Sequence, residues 1–208
     1  MKDNYDELAQ ESMITENESD TDIADSDDNE KTEEEKGNGF IKELMSWVMI
    51  FVGAFVVAYI LSNFVIVNAK VPTGSMISTI NINDKVIGFR LSYVFSKPKH
   101  GDIIMFNAPD KENTIYIKRV IGVPGDVIRI SNNELYINGE LQDEPYVKNG
   151  WKLNTGDVEY TVPANQYFVM GDNRDNSSDS RVWGTIKKDD IIAKAIFRYY
   201  PSVKSLLN

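Results

Sequence analysis

From Trp47 to Val67 the chain runs 21 residues without a charge, and Ser62 and Asn63 are its only polar interruptions. At ~1.5 Å per residue a helix of that length reaches about 31 Å, the thickness of a bilayer's hydrocarbon core. A core helix of a water-soluble domain would be shorter and punctuated by polar residues. A cleavable export signal is the other alternative, since Val67-Asn68-Ala69 loosely resembles a small-residue cleavage site. Such a signal needs a short basic leader and an apolar stretch of about 7 to 15 residues. This chain has a longer stretch behind an acidic leader. The segment therefore reads as an uncleaved transmembrane helix, occupying residues 40–69 with its flanks. Lys31, Lys36 and Lys42 on one side against Lys70 and Lys85 on the other leave its orientation open under the positive-inside rule. Ala54 and Ala58 form a small-xxx-small pair too common in such a run to imply dimerisation.

The charge of the chain is unevenly distributed. Its formal net charge is -10, yet residues 1–39 hold 15 Asp/Glu against 3 Lys. The rest is weakly basic. Residues 1–39 lack an apolar period and enough hydrophobic side chains to offset chain entropy, so a disordered acidic tail is expected there. An acidic tail is the opposite of what phosphate recognition needs, so no nucleic-acid partner is expected. With no cysteine and a single histidine, the chain cannot build a disulfide framework, a thiolate metal site or a two-histidine metal motif. No metal and no cofactor are expected.

Beyond Ala69 the pattern changes to short alternating segments broken by Gly, Pro, Asn and Asp. Strands are predicted at 84–90, 101–106, 114–121, 126–130, 134–137, 157–162, 166–170, 182–186 and 191–199. Asn138-Gly139 carries the signature of a type I′ hairpin. Residues 70–208 thus read as one mainly β domain, large enough for its own core and tethered to a bilayer.

Three places could carry chemistry. Val71-Pro72-Thr73-Gly74-Ser75-Met76 is a turn that exposes a hydroxyl beside backbone N–H groups, the needs of acyl transfer, although Ser and Gly are also ordinary loop residues. Ser75 requires a base. His100 sits in an apparent loop, where a solvated role is ordinary, while a buried lysine can lose its proton through desolvation. Lys118 lies in Ile115–Ile121, on one strand face with Tyr116 and Val120. Alternatively, Lys118 and Arg119 decorate an edge strand. The third place is Gly171–Arg181, eleven residues with no aliphatic side chain, whose acids and arginines could satisfy one another. As a calcium loop it lacks the Gly and Glu of the EF-hand template, and its arginines would repel a cation.

In their order along residues 44–200, these segments resemble the type I signal peptidases, membrane-bound serine/lysine endopeptidases. The resemblance rests on Pro72-Thr73-Gly74-Ser75-Met76, Gly101-Asp102-Ile103-Ile104-Met105-Phe106, Lys118-Arg119-Val120-Ile121-Gly122-Val123-Pro124-Gly125-Asp126 and Gly171–Arg181. A single span with a compact domain is similar to the Gram-positive bacterial type. The resemblance implies a compact antiparallel β catalytic domain, with Ser75 as nucleophile and Lys118 as general base. It puts Thr73 and the Ser75 N–H in the oxyanion hole. Ser177 is implied as a hydrogen-bond partner of the lysine, and Asp179 with Arg181 as a supporting ion pair. Asp172 and Arg174 look like a further structural pair. Val71, Ile80, Tyr116 and Ile117 are implied near pockets for small side chains. The implied substrates are signal-peptide-bearing preproteins, cleaved after small P1 residues, with no obligate protein partner. The implied location is the cell membrane, crossed once, with the tail cytoplasmic and the β domain outside. One departure is Ser78, where the family usually has a proline. A tethered binding domain without catalysis would instead tolerate change at Ser75 and Lys118, and a self-cleaving repressor would carry a DNA-binding segment, for which the tail is unsuited.

Overall fold

The computed structural model describes residues 27–147, 151–152 and 156–207, so the expectation for residues 1–26 of the tail lies outside the described residues. Helix α1 spans Asp27–Ile60 and continues as a π-helical turn, Leu61–Val65. It therefore begins inside the segment expected to lack structure. Gly39–Val65 is long and apolar enough to cross a membrane, with a mean hydropathy of 2.4 and none of its most apolar stretch buried. Phe51, Phe55 and Phe64 are all exposed, the pattern of a helix with no protein core to face. The apolar run does not stay helical to its end, because Ile66 and Val67 already belong to β1 (Ile66–Lys70). Hydropathy alone could not mark that change, since Ile and Val suit a strand as well as a lipid-facing helix.

Among the described residues eleven further strands follow: β2 (Lys85–Phe89), β3 (Ile103–Asn107), β4 (Ile115–Gly122), β5 (Val127–Ser131), β6 (Glu134–Ile137), β7 (Glu140–Leu141), β8 (Val158–Thr161), β9 (Gln166–Met170), β10 (Ile186–Lys187), β11 (Ile191–Tyr200) and β12 (Lys204–Ser205). All pair antiparallel, in the expected mainly β class. The larger sheet has the order β1-β2-β11-β3-β4-β9-β10, with β12 on β11, and the smaller one β7-β6-β5-β8. β4 is an interior strand, registered with β3 as Ile104 opposite Lys118 and with β9 as Arg119 opposite Met170. The edge-strand reading of Lys118 and Arg119 is thereby overturned.

Alternation assigns the core. Ile103 and Met105 face one cluster with Met76, Ile80, Val86 and Ala193, while Ile104 and Phe106 face another with Val120, Tyr167 and Val169. An uninterrupted Ile-Ile-Met-Phe run is what a strand covered on both faces requires. A third cluster joins Ile121, Phe168 and Met170 of the large sheet to Ile128, Ile130 and Leu135 of the small one. Asn138 and Gly139 adopt φ of 53° and 85°, as the predicted hairpin demands, and Asn132 and Asn133 make a second turn with φ of 52° and 63°.

One predicted strand is corrected. Residues 182–186 alternate like a strand, but Ser180–Trp183 forms the short helix α2 and only Ile186–Lys187 pairs. Asp179 caps the helix by accepting the Arg181 N–H, and Gly184 at φ 83° closes it. These two ends outweigh the β preference of Val182 and Trp183.

Candidate active site

The turn after β1 is pinned at both ends. Val71 donates its N–H to the Asp84 carbonyl at 2.9 Å, and Asn83 donates to the Val71 carbonyl at 2.8 Å. Between them, Thr79 and Ile80 donate to the Met76 carbonyl, while the Met76 and Ile80 side chains are buried in the core. Ser75 is thus carried half-buried on a turn whose next residue is anchored. Asn173 braces it from the opposite loop, donating its backbone N–H to the Ser75 carbonyl at 3.0 Å and its side-chain amide to the Gly74 carbonyl at 2.9 Å.

Ser75 and Lys118 line the same groove, of about 680 Å³. Thr73, Val71, Ile80, Tyr116 and Ile117 line it as well, so every residue assigned to the oxyanion hole and the small-side-chain pockets meets there. Lys118 is only 4% exposed. Its Nζ donates to Ser177 Oγ at 3.0 Å. Burial is the main force on this amine and pulls its pKa down to about 8, against an opposing attraction from Asp179. Around neutral pH the groove therefore holds an amine that can surrender its proton.

Behind the amine lies the Gly171–Arg181 loop. Asp179 is fully buried and takes both Arg181 Nε and Nη2, at 2.7 and 2.8 Å, as well as the Gly171 N–H at 3.0 Å. Burial alone would raise its carboxyl pKa, but the Arg181 guanidinium, the Gly171 N–H and Ser177 together hold it below the usual range. Gly171 has no room for a side chain, since a Cβ there would overlap Ser177 Oγ and the Ser75 carbonyl oxygen. The loop backbone and the Ser75 turn are in direct contact.

The expected pairing of Asp172 with Arg174 does not form. Asp172 instead receives Arg119 in a two-pronged pair at 2.9 and 2.8 Å, and Arg174 reaches Glu144 at 2.6 and 2.5 Å. Two guanidiniums and two carboxylates on one short loop looked self-sufficient by composition, but β4 and the segment after β7 supply the partners. Sequence reasoning missed Glu144, Tyr146 and Asn173. Asn173 sat within the singled-out loop, whereas Glu144-Pro145-Tyr146 carries no pattern that could have drawn attention. His100 lies outside the groove and pairs with Asp126 at 2.7 Å. Its half-exposed ring matches the solvated alternative.

Comparison with known proteins finds signal peptidases among those this chain is similar to. Signal peptidase IB of Staphylococcus aureus is 34% identical over 176 residues, covering 77% of this chain and 91% of that protein. A probable signal peptidase I-2 of Synechocystis is 37% identical over 155 residues, covering 72% of this chain and 70% of that protein. The crystal structure of a signal peptidase I from Enterococcus faecalis is 35% identical, with a TM-score of 0.43 over 48% of this chain and 97% of that one. The family model described as signal peptidase, peptidase S26, matches residues 44–200, which include the Ser75 turn, β4 and the whole Gly171–Arg181 loop. From the Ser75 turn to the loop behind Lys118, the chain belongs to the signal peptidase family, peptidase S26.

Proposed function

We propose that this membrane-anchored serine endopeptidase removes N-terminal signal peptides from exported preproteins with a Ser75/Lys118 dyad, cleaving after small P1 residues. The observation that carries the reading is the buried Lys118 amine, lowered to about pKa 8 and lining one groove with Ser75. A neutral amine keeps a lone pair while one of its N–H bonds is given to Ser177. That lone pair accepts the Ser75 proton as Oγ attacks the scissile carbonyl. The carbonyl π electrons move onto oxygen, and the Thr73 hydroxyl with the Ser75 N–H stabilises the resulting oxyanion. Collapse of the tetrahedral intermediate expels the amine of the mature chain, which takes its proton from the Lys118 ammonium. Water, deprotonated by the same amine, then releases the signal peptide from Ser75.

Val71, Ile80, Tyr116 and Ile117 supply the apolar wall for small side chains of the precursor, and Asp172, Arg174, Asp179 and Arg181 support the loop behind the lysine. The apolar helix confines enzyme and precursor to one bilayer, which raises their effective concentration. In this reading the acidic tail is cytoplasmic and the β domain lies outside the cell membrane. The test incubates the detergent-purified chain and its Ser75→Ala, Lys118→Ala and Lys118→Arg forms with one exported precursor, and reads the new amino terminus. Cleavage is expected from the parent alone, unchanged by a chelator, because guanidinium stays protonated and cannot replace a neutral amine. Substantial turnover by either Lys118 variant would refute the base assignment, and turnover by Ser75→Ala would refute the nucleophile.

A further inference from the structure

The small sheet ends its β7 strand at Leu141 and sends the chain straight to the back of the Gly171–Arg181 loop. Described contacts join the two directly, and one more reaches Arg119 of β4. Glu144, whose side chain is 12% exposed, grips the fully buried Arg174 guanidinium with both carboxylate oxygens. The Tyr146 ring stacks on the Arg119 guanidinium at 3.9 Å, and Tyr146 donates its hydroxyl hydrogen to Glu144 at 2.7 Å. Trp151 lies 5.1 Å from Arg174 and 5.2 Å from Arg181, and the Lys152 N–H donates to Asp175 at 2.9 Å. Arg174 in turn donates its Nε to the Gly171 carbonyl at 3.1 Å. Gly171 is the residue wedged against both Ser177 Oγ and the Ser75 carbonyl.

The chain of contacts therefore runs from Glu144 through Arg174 and Gly171 to the Ser75 carbonyl and, by way of Ser177, to the Lys118 amine. A planar guanidinium held by two carboxylate oxygens is fixed in angle as well as distance, which a point charge would not achieve. The largest charges acting on Lys118 are Asp179, Arg181, Asp172 and Asp110, so the route from Glu144 and Arg174 to the dyad runs mainly through the backbone they hold.

We propose that Glu144, oriented by Tyr146, is a positioning residue for peptide-bond cleavage: by clamping Arg174 it keeps the Gly171–Ser177 segment pressed against the Ser75 turn and the Lys118 amine. The small sheet thus acts as a brace for the hydrolytic site. This rests on the Ser75/Lys118 reading.

Loosening the clamp admits water to Lys118, weakens the desolvation that depresses its pKa, and spoils the alignment of Ser75. A rise of one full unit in the Lys118 pKa from about 8 lowers the neutral fraction at pH 8 about fivefold. The experiment measures kcat and KM from pH 6 to 10 for the full chain in detergent, comparing the parent with Glu144→Gln, Tyr146→Phe and Asp126→Asn. Asp126 pairs with His100 and Asn138, away from the loop, so its variant reports plain loss of stability. Glu144→Gln is expected to move the acidic limb upward by at least about half a pH unit and to lower kcat more than it raises KM, with Tyr146→Phe shifting less in the same direction. Asp126→Asn is expected to lower the unfolding temperature and leave the limb in place. A Glu144→Gln form that melts earlier but keeps the parent's limb and kcat overturns the proposal. Should that variant fail to fold, an unmoved limb in Tyr146→Phe overturns it. A parent enzyme with no limb near pH 8 would instead count against the dyad itself.

Discussion

Replacing Lys118 by Met should make the protein more stable and catalytically dead, and the size of the gain follows from the burial of one amine. The ordinary lysine pKa is 10.5, and burial lowers this one to about 8. A drop of roughly 2.5 units corresponds to about 3 kcal/mol of preference for the proton in the unfolded chain over the folded one. The folded pKa is the lower, so between pH 8 and 10.5 unfolding takes up a proton and stability rises with pH. Below pH 8 the folded protein carries the whole cost. Methionine matches the length of the lysine stem and has no charge to desolvate. At pH 7 the Lys118→Met form should therefore be more stable than the parent by about 3 kcal/mol, or roughly 6–12 °C in unfolding temperature for a domain of this size. By pH 9.5 the advantage should fall to about half, and above pH 10.5 it should vanish. Thermal unfolding of both proteins in detergent from pH 7 to 10.5 measures this directly. The same amine predicts the activity of the parent. Its neutral fraction climbs from about 9% at pH 7 to about 91% at pH 9, so kcat/KM should rise roughly tenfold and then level off. An unshifted lysine would give nearly 100-fold over the same interval with no plateau. A methionine variant less stable than the parent at pH 7, or a rate still climbing tenfold per unit at pH 9, would refute the reasoning.

Gly171→Ala adds a methyl group where Ser177 Oγ and the Ser75 carbonyl already meet; overpacking of this kind should cost about 1–3 kcal/mol in unfolding and far more in turnover than in precursor binding, as separate kcat and KM values would show. Asp179→Asn leaves the Arg181 guanidinium buried without its counter-charge and should destabilise the fold by about 3 kcal/mol. Because Asp179 raises the Lys118 pKa and Arg181 lowers it, the acidic limb of that variant's residual activity should move below pH 8; a limb displaced upward would contradict the electrostatics.

What could be read from the sequence, and what could not, divides along the range of the forces involved. The apolar run, most strand positions and the Asn138-Gly139 turn are set by neighbouring residues, so periodicity and turn chemistry found them, whereas β1, β12 and the helical turn at Ser180–Trp183 were not anticipated. Lys118 stood out because it interrupts an apolar strand, and its burial could be suspected but not established until β3 and β9 were seen to flank β4. The roles proposed for Ser75 and the lysine came from a resemblance, since a serine in a Pro-Gly turn has many ordinary explanations. The Asp179–Arg181 pair was expected and forms, but the partners of Arg119 and Arg174 escaped. A guanidinium and a carboxylate 30 residues apart, such as Arg174 and Glu144, leave no trace in spacing, and the nearer acids on the same loop offered a local solution that the fold rejects. The rejection has a physical reason: Asp172 pairs with Arg119, whose strand is interior, and a buried arginine without a partner there would be costly. Once Asp172 is taken, Arg174 must find its charge elsewhere, and the segment after β7 brings it. The loop behind the dyad is thus held by partners from two other parts of the chain, and its shape depends on the small sheet as much as on its own residues.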